Sequence, residues 1–201
     1  MYALRDVTGT VESIPLITAS IMSKKLAEGA QSLVLDVKCG RGAFMREIGE
    51  ARSLARSLVD TGRSLGRSVV AVITDMSAPL GRAVGNFPEV RESIDCLRGG
   101  GPAALVDLTV RLTAWMLVQG GVAPSLAAAE ERCRRALADG SAWKRFLDNV
   151  AFQGGDVEVC MSPERGPRPR VVRPVCAGRS GVVGELDARK VGVAALLLGA
   201  G

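Results

Sequence analysis

Short apolar runs alternate with longer amphipathic stretches over the first three quarters of the chain. Ser68 to Thr74 contains an unbroken apolar run, Val69-Val-Ala-Val-Ile73. A run of that length predicts a strand with both faces covered, as in a parallel sheet. Ser32 to Val37 predicts a second strand. Between them, residues 44–65 read as a helix with Arg46, Arg52, Arg56 and Arg63 on its outer face. Upstream, Ser13 as N-cap, Pro15 in the first turn and Gly29 as stop predict a helix over 13–28.

Residues 75–87 are rich in Gly, Pro and Ser and read as a loop, and Pro88 opens a short helix to about Leu97. Pro102 starts a strongly apolar helix that Gly120-Gly121 ends. Ser125 caps a charged helix ending at Gly140, and Ser141 caps another to about Gln153. After Gly154-Gly155 the texture changes: residues 156–180 are rich in Pro and Arg, with β-like runs at 157–160 and 171–176. A last helix is expected over 186–198. The alternation up to residue 153 predicts an α/β fold, a layered sheet flanked by helices. The tail reads as the start of an α+β lobe.

Composition narrows the chemistry. In 201 residues there are no histidines, so no Ser-His, Cys-His or His-metal mechanism operates within this chain. Five cysteines, at 39, 96, 133, 160 and 176, lack CxxC spacing, and their odd number suggests reduced thiols in a cytoplasmic protein. No signal-peptide pattern stands at the N-terminus, and the longest apolar run, 191–201, is too short to span a bilayer. A net charge of +5 admits an anionic substrate. Aromatics at 3% argue against a stacking surface for nucleic acid, so a nucleic-acid-binding reading rests only on charge and the arginine tail.

Three constellations can carry chemistry. The turn Cys39-Gly-Arg-Gly-Ala43 follows the first strand, and the helix start after it offers free N–H groups to an anion or a carbonyl oxygen; a plain tight connection explains it as well. Ser20 and Lys24 lie one helical turn apart, and Arg5 from the preceding loop can complete a three-donor clamp for a carbonyl or imide-like ring edge. A solvated Lys, a helix-interior Ser and a structurally paired Arg are the alternative. Carbonyls of the loop 75–86, with Glu92 on the next helix, can hold a hard cation through oxygen, or the loop is a simple connection.

Read together, several segments resemble the pyrimidine-nucleoside phosphorylase family, which includes thymidine phosphorylase. They are Tyr2-Ala-Leu-Arg-Asp-Val7, Ser13-Ile-Pro-Leu-Ile-Thr-Ala-Ser20, Leu35-Asp-Val-Lys38 with Gly42-Ala-Phe-Met45, and Thr74-Asp-Met-Ser77. Pro79-Leu-Gly-Arg-Ala-Val-Gly-Asn86, Glu89-Val-Arg-Glu92 and Gln153-Gly-Gly-Asp156 complete the set. The resemblance implies a pentosyltransferase: a pyrimidine nucleoside and phosphate give the free base and a ribose or deoxyribose 1-phosphate. It puts the base on Arg5, Ser20 and Lys24, and a potassium ion on the carbonyls of Leu80 and Ala83 and the carboxylate of Glu92. No organic cofactor, nucleic acid or membrane is implied, and the family forms homodimers. Arg41 departs from the small residue usual between the two glycines.

The family's phosphate-binding part, with its Lys-x-Ser element, would precede Met1. The chain therefore reads as an internal segment: 1–28 a remnant of a helical domain with the base-binding helix, 29–155 an α/β core, 156–201 the start of an α+β lobe. On this reading the chain alone shows little phosphorolysis. A phosphoribosyltransferase of the anthranilate type fits the base-binding pattern less well. A non-catalytic remnant, or one subunit of a split enzyme that binds pyrimidine or a partner chain, is the alternative from another class.

Overall fold

The computed structural model describes residues 7–200. Strands β1 (Ser32–Cys39) and β2 (Ser68–Asp75) pair in parallel, with Ser32 opposite Ser68 and Cys39 opposite Asp75. They are the two strands of the sheet among the described residues. Helix α1 (Ile14–Ala27) precedes β1, and α2 (Ile48–Ser64) is the crossover between the strands. Such a crossover is what a parallel pair requires.

Alternate residues of each strand face this helical layer. Val37 and Val69 are buried in one core with Met22 of α1 and Leu54 and Leu58 of α2, and Leu33, Leu35, Ala71 and Ile73 pack against it. Helix α1 is held to α2 by a hydroxyl pair, Thr18 Oγ1 and Ser57 Oγ at 2.8 Å. The absence of a side chain at Gly62 permits the closest approach. A Cβ there would overlap Val69 Cγ2 and lie 3.1 Å from Met22 Cε.

Helices α3 (Asn86–Leu97), α4 (Ala103–Gln119), α5 (Leu126–Ala138), α6 (Ser141–Phe152), α7 (Val157–Met161) and α8 (Ala188–Leu197) follow, with a 3-10 turn at Pro163–Arg165 before α8. The residues fall into two compact units. One ends at Ala78 and resumes over Asp107–Cys133; the other is Pro79–Val106 with the residues from Arg134 onward. Helix α1 packs on α2 within the first unit, and 134–200 falls with 79–106 in the second. In the first, Arg111 Nε meets Glu130 Oε1 at 2.9 Å and links α4 to α5. In the second, Arg98 at the end of α3 stands 5.7 Å over the Trp143 ring of α6.

Four expectations are corrected. Helix α2 begins at Ile48, not at 44, because Met45 bridges to Cys39 and Glu47 forms a capping box with Glu50. Ser141 is the first residue of α6 and not its cap; Gly140, at φ +76°, is the N-cap. Residues 157–160 are helical rather than β-like, since the Asp156 carboxylate accepts from the N–H groups of Glu158 and Val159 and starts a turn. Residues 171–176 form no strand: Val171, Val172 and Val175 are exposed, without a pairing partner in the sheet. Among the described residues, no helix is long and apolar enough to cross a membrane.

Candidate functional site

Helix α1 carries two of the three expected base contacts, Ser20 and Lys24. Ser13 stands at its N-cap without a side-chain bond, Pro15 lies in the first turn, and Lys24 and Lys25 sit in the last turn, where cations favour the helix dipole. Ser20 is buried, whereas Lys24 one turn on is exposed. Lys25 Nζ pairs with Glu28 Oε2 at 2.9 Å. Thus Ser20 and Lys24 share one side of α1, a hydroxyl at the buried edge and an ammonium at the exposed one. Arg5 lies outside the described residues.

The glycine turn interlocks the loops that leave the two strands. Gly40 has φ +119°, and a Cβ there would strike the Ser77 hydroxyl and come within 2.8 Å of the Ser77 nitrogen. The N–H of Gly42 donates to the carbonyl of Met76 at 2.9 Å, and that of Met76 to the carbonyl of Cys39 at 2.6 Å. Arg41 is exposed on this turn and, after the Ser77 hydroxyl and N–H, helps hold the Asp75 carboxyl below its ordinary value. The expected offer of N–H groups to an anion fails at α2. The Glu50 carboxylate accepts from Arg46 at 3.1 Å and Glu47 at 3.3 Å, and Glu47 accepts from the third helical residue. Two carboxylates there repel an anion.

Sequence reasoning missed a polar triangle on the sheet. Lys38 Nζ lies 2.6 Å from Asp36 Oδ2 and donates to Thr74 Oγ1 at 3.1 Å, while the Thr74 hydroxyl donates to Asp36 Oδ1 at 2.5 Å. Asp36 and Lys38 are two apart on β1, and Thr74 faces Lys38 in register on β2. The signal was an i, i+2 charge pair inside an otherwise apolar strand. It sits toward the C-terminal ends of parallel strands, the end where α/β sheets bind ligands.

In the second unit, Glu92 fixes the loop that carries Leu80 and Ala83. Its Oε1 accepts from the N–H of Arg82 at 2.8 Å and of Ala83 at 3.2 Å. Its other oxygen abuts Gly81 so closely that a Cβ there would overlap it. Glu92 of α3 is thereby bonded to the loop that carries Leu80 and Ala83. Carbonyl and carboxylate oxygens suit a hard cation, and Glu92 Oε1 already accepts two N–H bonds from the loop. No group of three or more His, Cys, Asp or Glu side chains suited to a metal occurs among the described residues.

Residues 1–143 match the family model described as "Glycosyl transferase family, a/b domain". The chain belongs to this glycosyl transferase family. A pyrimidine-nucleoside phosphorylase of Staphylococcus haemolyticus (strain JCSC1435) is 49% identical over all 201 residues, which make up 46% of that relative. Proteins of the same name from Bacillus subtilis (strain 168) and Geobacillus stearothermophilus are 48% and 47% identical, again over the whole chain and 46% of each relative. The chain thus spans about half the length of the curated relatives it matches.

Proposed function

We propose that this chain carries the base-recognising part of a pyrimidine-nucleoside phosphorylase. The observation that carries the reading is the spacing of Ser20 and Lys24 on α1, within a sequence alike throughout to proteins of that name. The Ser20 hydroxyl and the Lys24 ammonium, with the Arg5 guanidinium, meet the O2/N3/O4 edge of the pyrimidine. As phosphate attacks the anomeric carbon, the new C–O bond forms while the glycosidic C–N bond breaks, and the bonding pair leaves with the base. Cationic donors at the ring edge stabilise that developing negative charge, an effect absent from the neutral ground state. The product is the free base and a pentose 1-phosphate. Potassium on the carbonyls of Leu80 and Ala83 and on Glu92 would hold the loop after β2 in one conformation. Association as a homodimer belongs to the same reading.

The clamp is specific in chemistry. Uracil and thymine present acceptor–donor–acceptor groups along one edge, matched by three polar groups that include a hydroxyl able to accept as well as donate. Adenine presents no such edge. Calorimetric titration with uracil, thymine and adenine tests the reading. The expected result is binding of both pyrimidines and at least about tenfold weaker binding of adenine, a gap of about 1.4 kcal/mol. Equal affinity for adenine, or no pyrimidine binding, would reject it.

A further inference from the structure

Three stretches distant in sequence, within residues 82–102, 167–169 and 195–200, surround a cavity of about 880 Å³ in the second unit. Packing beside it joins these walls. The Phe87 ring occupies the space a side chain at Gly166 would need, so the chain entering the Pro167-Arg168-Pro169 wall lies directly on α3. Gly85, at φ +129°, brings its backbone to α8's end: a Cβ there would lie 3.8 Å from Ala200 Cβ.

Arg82, Arg91 and Arg168 line this cavity. Arg168 is fixed by bonds from Nε and Nη2 to the Glu164 carbonyl. Neither Arg82 nor Arg91 joins an ion pair among the described residues. Of the two carboxylates in the lining, Glu92 accepts from loop N–H groups through Oε1, which leaves Asp95 as the acidic group without such a bond. Guanidinium forks match the oxygens of a phosphate group. The volume lies in the range of pockets for small organic ligands and is far larger than one tetrahedral oxyanion fills. Phe87, Pro88 and Leu198 add apolar wall.

We infer that this cavity binds an organic phosphate monoester, its phosphate on Arg82 and Arg91 and its body against the Phe87–Pro88 wall. None of its residues belongs to the base clamp, while Ala83 and Glu92 in its lining are shared with the proposed potassium site. Ribose 5-phosphate, which has no base, is the probe, titrated calorimetrically into the 201-residue chain beside inorganic phosphate and ribose. The ester should bind at least about tenfold more tightly than either. Arg82→Gln combined with Arg91→Gln should weaken it about tenfold or more, and Arg91→Lys, which keeps the charge but not the fork, should fall between. The outer-face variant Arg52→Gln should leave it unchanged. If the double variant does not fold, as judged by its thermal melt, Arg91→Lys alone decides. An ester no tighter than inorganic phosphate overturns the inference, as does an equal loss in Arg52→Gln or full affinity in Arg91→Lys and the double variant.

Discussion

Replacing Gly62 by Ala sets two effects of opposite sign against each other. In an exposed helix interior the change stabilises by about 1 kcal/mol, because Gly loses more backbone entropy on folding than Ala. Gly62, however, is buried on α2 against β2 and α1. The added methyl overlaps Val69 Cγ2, on a side chain only 3% exposed and stiff at χ1. Met22 Cε, at 3.1 Å, is the end of a flexible side chain and can yield; Val69 cannot without moving the strand. Overpacking of this kind costs about 1–3 kcal/mol. The sum is a net loss of about 1 kcal/mol, read as a lower urea midpoint at unchanged m-value. The companion change Val69→Ala removes the obstructing methyls. A double-mutant cycle should therefore show favourable coupling of about 1 kcal/mol between the two substitutions. Stabilisation by Gly62→Ala alone, or a coupling near zero, would refute the described packing of α1, α2 and β2.

Other consequences follow from the polar contacts. A double-mutant cycle on Asp36→Asn and Lys38→Met should return a coupling of about 0.5–1 kcal/mol in urea unfolding, since the pair is partly exposed and also bonded through Thr74. Glu92→Ala should destabilise by about 1–3 kcal/mol and speed amide exchange at Arg82 and Ala83, whereas Glu92→Gln should cost less, because an amide oxygen still accepts. Asp75 has a folded pKa below its unfolded value, so its contribution is present above the unfolded carboxylate pKa and is lost as pH falls through the folded one. Asp75→Asn should consequently flatten the loss of stability with acid below about pH 4, seen in urea midpoints across pH. Burial and the neighbouring Glu92 and Asp95 push the Cys96 thiol up, so alkylation at pH 8 should reach exposed Cys176 well before Cys96.

Much of the backbone was legible because its signals are local. The apolar run 69–73, the Pro15 and Gly29 boundaries of α1, and the Ser125 cap, which accepts from Ala128 N at 3.3 Å, all express near-neighbour physics. The failures share a cause as well. The start of α2 depends on Met45 pairing back to Cys39, and the helix at 157–161 depends on one Asp cap outweighing a β-branched run. The turn at 39–43 looked ready for an anion because its glycines were visible in sequence. The capping Glu47 and Glu50 were visible too, but their turn back onto the helix start is a matter of geometry. In the candidate site, the Ser20–Lys24 spacing follows from helical period alone. The Asp36–Lys38–Thr74 triangle needs the register of two strands 36 residues apart, which no single segment encodes.

Calorimetric titration of uracil into the wild type and the single variants Arg5→Ala, Ser20→Ala and Lys24→Ala decides whether α1 presents a pyrimidine-binding edge. The Arg5 and Lys24 variants should each lose about 1–3 kcal/mol of binding free energy. Ser20→Ala, the loss of a neutral hydrogen bond, should cost about 0.5–1.5 kcal/mol, with all three variants melting at the wild-type temperature. Uracil affinity unchanged in both Lys24→Ala and Ser20→Ala would contradict such an edge on α1.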